Sequence, residues 1–306
     1  SLRVCAAALG TDSAGSVRIP SMCCGIVGLK QSHGIVSLAG GMPTTTQHTD
    51  HIGPHTRSIA DARLMLSVMA GYDPTDPNST PRTLEAAEPV SDLSGLKVGV
   101  PEPYFWTDVD PEIEARCREI VALMESAGAS VQTMDFDITQ SMVAARAAMA
   151  AEAYVYHEEM LREHGDLYSP DLRARILAGQ YVLAQDYIRA IRARRMVIET
   201  IRDAFESVDV LVMPTLPIQP HKIDDLPNLG MAATMPTVRN TSPFNQAGSP
   251  AVTIPVGVTS AGLPIGFQIA APAFQDLRML AIAEFLEGQV GFDPTPPVLK
   301  GAAVGA

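Results

Sequence analysis

The sequence has little that ties it to a membrane, a nucleic acid or a metal. No apolar run is long enough to cross a bilayer. The longest patches, such as Met142 to Ala151, are alanine-rich, and this one is broken by Arg146. The opening residues Ser1-Leu2-Arg3-Val4-Cys5-Ala6 lack the basic start and apolar stretch of a signal peptide, so a cytoplasmic location is expected. Positive charge is scarce: the formal net charge is -12. An acidic surface repels phosphate backbones, which sets nucleic acid aside as the main partner. Lysine is rarer than arginine, and Lys30, Lys97, Lys222 and Lys300 are the only candidates for lysine chemistry. Cys5, Cys23, Cys24 and Cys117 match no zinc or redox spacing, and adjacent Cys23 and Cys24 pair poorly with each other. All four read as reduced thiols, Cys24 as a core residue. His48, His51 and His55 cluster, but Gly53 and Pro54 break any helix between the last two, so no metal site is expected.

What is present describes a folded enzyme-sized chain. Hydrophobic residues make up 46% and charged residues 18% of 306, enough to bury a core. Val4 to Leu9 reads as a short buried strand running into a turn at 10–16. Short apolar pieces follow at 26–29 and 34–36, and 38–55 reads as mostly loop. Ser58 opens a helix that runs to about Met69 and closes at Gly71. A proline-punctuated surface connection fills 73–95. A strand at 97–101, a helix capped by Asp110 with Pro111 at its first position, and a strand at 131–136 make a small α/β unit. Ile113, Cys117, Ile120, Val121 and Met124 share one face of that helix. Helical stretches are expected near 138–164, 170–178 and 181–207, then a strand at 209–214 and a Pro- and Gly-rich loop over 214–236. Strands at 251–256 and 264–269 flank a turn at 260–262, and a helix spans 275–287.

The turn Gly10-Thr11-Asp12-Ser13-Ala14-Gly15-Ser16-Val17-Arg18 has features suited to acyl transfer. Its small residues let the backbone curl so that consecutive N–H groups point one way and hold an oxyanion. Ser16 stands at the end of that nest, where its hydroxyl reaches the same carbonyl. A charge-assisted bond between Asp12 and Arg18 would fix the turn. On residue types alone, a plain connector and a phosphate cradle remain open. No Gly-x-Ser-x-Gly elbow surrounds Ser16, which argues against a histidine-based α/β-hydrolase site.

The run from Leu9 to Gly34 resembles the amidase signature, through Gly-Thr-Asp, Ala-Gly-Ser-Val-Arg-Ile-Pro, Cys24-Gly25-Ile26-Val27-Gly28-Leu29-Lys30 and His33-Gly34. The likeness continues through 50–62, Ser242 to Ala251 and Gly262 to Gln268. The resemblance implies an α/β amidase-signature fold, a mixed central sheet flanked by helices, with 1–306 forming one amidase domain. It implies a Ser–cis-Ser–Lys hydrolase acting on a small-molecule amide without a cofactor. Ser16 matches the nucleophile. The backbone N–H groups of Ser13, Ala14, Gly15 and Ser16 match the oxyanion hole, and Asp12 and Arg18 match loop-shaping residues. Asn245 and Gln246 fall near the substrate pocket by the same likeness, or serve as backbone support.

Two departures stand out. Ala14 replaces a glycine that usually precedes the nucleophile, and Gln31-Ser32 replaces Pro-Thr after Lys30. The lysine base and the bridging serine lie upstream in the family, and residues 1–15 contain neither. Lys30 matches a structural lysine. The chain therefore reads as an N-terminally truncated amidase, expected to be inactive alone and able to form a homo-oligomer through uncovered apolar surface. Two alternatives stand beside this reading: the amidase component of a tRNA-dependent amidotransferase, and a non-catalytic scaffold. Phe105 and Trp106 fit a surface or core role better than an acyl pocket.

Overall fold

A computed structural model describes residues 4–42, 48–228, 231–293 and 295. Its strands in chain order are β1 (Ala8–Thr11), β2 (Val27–Lys30), β3 (Ile52–Thr56), β4 (Lys97–Pro103), β5 (Ser130–Phe136), β6 (Val210–Pro214), β7 (Ala251–Val258) and β8 (Pro264–Ala270). Its α-helices are α1 (Arg18–Cys23), α2 (Ile59–Met69), α3 (Pro111–Ser126), α4 (Thr139–His164), α5 (Pro170–Leu177), α6 (Ala184–Ala204), α7 (Met231–Arg239), α8 (Ser242–Ala247) and α9 (Asp276–Val290). The strands form one eight-stranded sheet in the order β1-β3-β2-β7-β8-β6-β4-β5. Neighbours from β1 to β6 run antiparallel, and β6, β4 and β5 run parallel. The mixed sheet flanked by helices is the expected fold class.

Local chemistry accounts for most element boundaries. Ser58 Oγ accepts the Asp61 N–H at 3.1 Å and starts α2. Asp110 accepts the Glu112 N–H at 3.0 Å, and Pro111 takes the first position of α3, where its missing N–H costs nothing. Ile113, Cys117, Ile120 and Met124 turn that helix's apolar face onto the sheet. The parallel unit β4-α3-β5 pairs Lys97 with Ser130 and continues in register to Pro103 with Phe136. Every residue of β6 is buried, and each of Val210, Leu211 and Met213 contributes about 2 kcal/mol by leaving water. α9 lies against β7, and α4 packs along α6.

Several expectations are corrected. The first strand covers 8–11 and is largely exposed, because β1 is the sheet's edge and pairs only with β3. An apolar run of that length does not reveal whether its faces are covered. Within 38–55, β3 forms from Ile52 and includes Pro54. Its Gly53 lies so close to the Leu29 carbonyl oxygen that no Cβ fits. Of the two short apolar pieces, 27–29 lies in β2, and Ile35 and Val36 are buried in a bend. Within 214–236, a short 3-10 helix at 223–228 and α7, with Pro236 inside it, replace part of the loop. Cys24 is exposed rather than core, and only Cys117 is fully buried. Phe105 and Trp106 are core residues, with the Phe105 ring stacked on Phe244 at 5.7 Å.

One buried carboxylate joins the end of β2 to α9. Asp276 accepts the Ser32 N–H at 2.7 Å and the Ser32 hydroxyl at 2.5 Å. Ser32 Oγ in turn accepts the Phe274 N–H at 2.7 Å. Burial pushes the Asp276 carboxyl up, and the two Ser32 donors oppose that rise. Asp276→Ala leaves both donors unpaired and is expected to cost about 3 kcal/mol in urea unfolding. A loss below about 1 kcal/mol would show the contact to be dispensable.

Candidate active site

The turn between β1 and α1 is built around a fully buried ion pair. Arg18 Nη2 lies 3.0 Å from Asp12 Oδ1, and Arg18 Nε donates to Asp12 Oδ2 at 3.1 Å. Asp12 also accepts the backbone N–H groups of Gly15 at 2.7 Å and Val17 at 3.2 Å. The carboxylate thus sits inside the curl and pulls the chain around itself. Burial alone would raise the Asp12 carboxyl. The Arg18 charge and hydrogen bonds from Arg18 and Asn245 outweigh it and hold the group well below the usual carboxylate range.

Distant segments lock this pair. Arg18 Nη1 donates to the Thr241 carbonyl at 2.9 Å and to Gln268 Oε1 at 2.8 Å. Arg18 Nη2 donates to Asn245 Oδ1 at 2.5 Å, and Asn245 Nδ2 returns to Asp12 Oδ1 at 2.8 Å. Thr241 Oγ1 donates to the Ala14 carbonyl at 2.5 Å. Gly15 has φ +129 and packs on the Thr241 side chain so closely that a Cβ there would collide. The glycine is therefore required at 15, whereas Ala14 keeps its methyl group without a positive φ.

Ser16 lies at the outer edge of this construction and is exposed. Among the described residues its hydroxyl has no hydrogen-bond partner, and neither the Ala14 nor the Ser16 N–H has an acceptor. The Gly15 N–H differs from the other members of the expected donor set, because it turns inward to Asp12. Ser13 is buried beside it. A cleft of about 210 Å³ opens next to the turn, lined by Thr11, Leu38, Asp50, His51, Asp76 and Tyr156 among others. Ser16 does not line it. Asn245 is fully buried in the ion-pair network, and Gln246 Nε2 reaches Met149 Sδ at 3.4 Å, so both are internal supports.

Sequence reasoning did not single out the Lys30–His51 contact beneath the turn. Lys30 is fully buried, and its Nζ meets the Gln31 carbonyl at 3.1 Å and His51 Nε2 at 3.3 Å. Burial, reinforced by Arg18, brings the Lys30 amine down to about 7. His51 is held neutral, well below its ordinary value, chiefly by burial. The scarcity of lysine was the available signal, but nothing in the sequence near Lys30 marks it as buried. Burial pushes the Cys23 thiol up to about 11, which leaves it protonated at neutral pH. Among the described residues no cluster of His, Cys, Asp and Glu is arranged to hold a metal, and no helix is long and apolar enough to cross a membrane.

Asp12→Asn keeps the shape but removes the charge opposite Arg18. It is expected to cost about 3–5 kcal/mol in chemical unfolding, the penalty of a buried cation left unpaired. The sign with pH follows. A lowered carboxyl stabilises the fold above its unfolded value of about 3.9, and that contribution goes as pH falls through the lower folded value. Wild-type stability should fall steeply at acid pH, and the variant's acid limb should be flatter. Parallel acid limbs would contradict the assignment.

Comparison with known proteins identifies the family. The Amidase family profile matches residues 1–280. An amidase of Pseudomonas putida is 36% identical over 264 residues, covering 84% of this chain and 57% of that protein. A glutamyl-tRNA(Gln) amidotransferase subunit of Rhodospirillum rubrum is 32% identical over 329 residues, covering 99% of this chain and 65% of that protein. The chain therefore spans about three-fifths of the length of these relatives. Among solved structures, the corresponding amidotransferase subunit of Thermotoga maritima superposes with a TM-score of 0.75 at 28% identity, covering 92% of this chain and 62% of that one. A 6-aminohexanoate cyclic dimer hydrolase gives a TM-score of 0.78 at 26% identity, covering 94% of this chain and 66% of that one. The chain belongs to the amidase family.

Proposed function

We propose that Ser16 is the nucleophile of an amide-cleaving site and that the protein hydrolyses a carboxylic amide through an acyl-serine intermediate. The observation that carries this reading is an exposed Ser16 hydroxyl on a turn whose shape a buried ion pair fixes. Ser16 Oγ adds to the amide carbonyl carbon as its proton leaves for a base. The carbonyl oxygen becomes an oxyanion, and the unpaired amides of Ala14 and Ser16 receive it, with Ser13 as the remaining member of the donor set. Gly15 is left out of that role because Asp12 holds its N–H. The amine departs with a proton, and water then cleaves the ester, releasing the acid and restoring the hydroxyl. Asp12 and Arg18 shape the loop and do not touch the substrate.

The base is the missing part. Lys30 is occupied by Gln31 and His51 in the interior, and among the described residues no side chain bonds to Ser16 Oγ. The resemblance calls for a lysine and a bridging serine that residues 1–15 do not contain. We treat 1–306 as one amidase domain that needs those two groups for turnover. Without them a hydroxyl is a poor nucleophile, and loss of a triad member costs several orders of magnitude in rate.

A second reading is favoured by the 32% identity to the Rhodospirillum rubrum amidotransferase component over nearly the whole chain. It assigns the same serine to release of ammonia from glutamine within a larger assembly. Glutamine-dependent ammonia release, together with co-purification of a second polypeptide, would select it. Turnover of simple amides by the whole protein without a partner would select the first.

A fluorophosphonate probe tests the nucleophile. In the protein supplied with the missing lysine and bridging serine, labelling is expected at Ser16, located by peptide mapping, and is expected to vanish in Ser16→Ala. Labelling that survives in that variant would overturn the assignment. Hydrolysis of an aryl amide by the 306-residue chain alone is expected to stay near the uncatalysed rate, and enzyme-like turnover would contradict the missing-base reading. The exposed Leu64 and Val68 on α2, one turn apart, make self-association of this chain the expected state, read as a mass above the monomer in light scattering.

A further inference from the structure

The buried lysine beneath the turn has a hydrogen-bond arrangement that fits only one of its two charge states. Lys30 Nζ has two acceptors among the described residues, the Gln31 carbonyl and His51 Nε2. A neutral amine has two N–H groups and is fully satisfied. An ammonium has three, and the third would be unpaired at a nitrogen with no exposure to water. The His51 tautomer is fixed independently. Its Nδ1 faces the Thr49 carbonyl at 2.8 Å and must donate, so Nε2 carries the lone pair that Lys30 needs. Among the described residues no carboxylate forms an ion pair with Lys30, and the nearest buried cation, Arg18, already has Asp12 as counter-ion.

This pair is wired to the turn through the backbone. The Asp12 N–H donates to the His51 carbonyl at 2.8 Å, and the His51 N–H donates to the Asp12 carbonyl at 3.1 Å. A shift of the His51 ring therefore acts on the residue whose carboxylate holds the Gly15 and Val17 amides. We propose that Lys30 is a positioning residue for the Ser16 turn: it folds as a neutral amine bonded to His51, and taking up a proton there loosens the turn through His51 and Asp12. The groups facing this proton are Arg18 on α1, Asp12 in the turn, His33 after β2, His51 before β3 and Asp276 on α9. Arg18 opposes the added charge, and Asp12 and Asp276 favour it, but burial is the largest influence and acts against it.

The sign is fixed by linkage. The unfolded chain keeps the Lys30 proton up to about 10.4, and the folded chain releases it near 7. The unfolded state binds more protons between those values, so this group stabilises the fold as pH rises through that window and withdraws support as pH falls toward neutrality.

The inference rests on Ser16 as nucleophile for its consequence, but its tests do not need the chemistry. With Lys30, Lys97, Lys222 and Lys300 as the only lysines, the Nζ of Lys30 can be followed by nitrogen-15 lysine labelling and pH titration in the unaltered chain. It is expected to titrate near neutrality, and titration at the ordinary lysine value overturns the proposal. Hydrogen exchange of segment 12–18, corrected for intrinsic rates, is expected to lose about tenfold in protection from about pH 9 to about pH 6. Lys30→Met, which cannot take up a proton, should flatten that dependence while a helix remote from the turn, α3, is unchanged. A profile in Lys30→Met that matches the wild type, or a loss spread evenly over the chain, overturns it. The rate of Ser16 labelling should follow the same pH dependence. Absence of any labelling would count against the nucleophile instead, and leaves the lysine titration and exchange results to decide this proposal.

Discussion

The buried Asp12–Arg18 pair is the constraint on which the rest of the site depends. Two charges removed from water are costly unless every lone pair and proton finds a partner. Here they do: two turn amides and Asn245 fill the carboxylate, and Thr241, Gln268 and Asn245 fill the guanidinium. The pair therefore specifies a shape more than it adds stability. It forces the backbone to wrap the carboxylate and leaves Ser16 on the outside of the wrap. It also fixes α8 and β8 against α1, because their side chains complete the shell.

The same shell sets the charge states around it. Asp12 stays ionised because Arg18 is beside it, and burial, reinforced by the charge of Arg18, brings the Lys30 amine down toward neutrality. One cation thus lowers both groups, outweighing burial at the acid and adding to it at the amine. His51 links the two by bonding Lys30 with its ring and Asp12 with its backbone. The 210 Å³ cleft reaches this arrangement at Thr11 and His51, so the turn is flanked by a cavity on one side and a packed charge cluster on the other.

Much of this was legible in the sequence where the signal is local. Asp110-Pro111 marks a helix start through capping, Ser58 does the same for α2, and both helices begin there. The Asp12–Arg18 contact follows from two opposite charges across a small-residue turn. Signals failed where the deciding partner is far away in the chain. Val4 to Leu9 looks like any buried run, and only the sheet order makes β1 an edge. Pro54 and Gly53 mask β3, although close strand approach is what requires Gly53. Pro236 hides α7, and α8 is too short for a periodic pattern, with its C-terminus set by Gly248 at φ +71. The roles of Thr241, Asn245 and Gln268 depend on where they meet Arg18, which no local pattern encodes.

The long reach of Arg18 has a consequence for how the protein is made. Its bonds to Thr241 and Gln268 close loops of 223 and 250 residues. Closing loops that long is slow, and their entropy is lost before the contacts form. During synthesis, the serine-bearing turn emerges well ahead of β8 and waits for it before its scaffold exists. Its two charges remain hydrated while the intervening chain is made and are dehydrated only when nearly the whole sheet is assembled. The turn is thus made well before β8 and is among the last parts to take its final form.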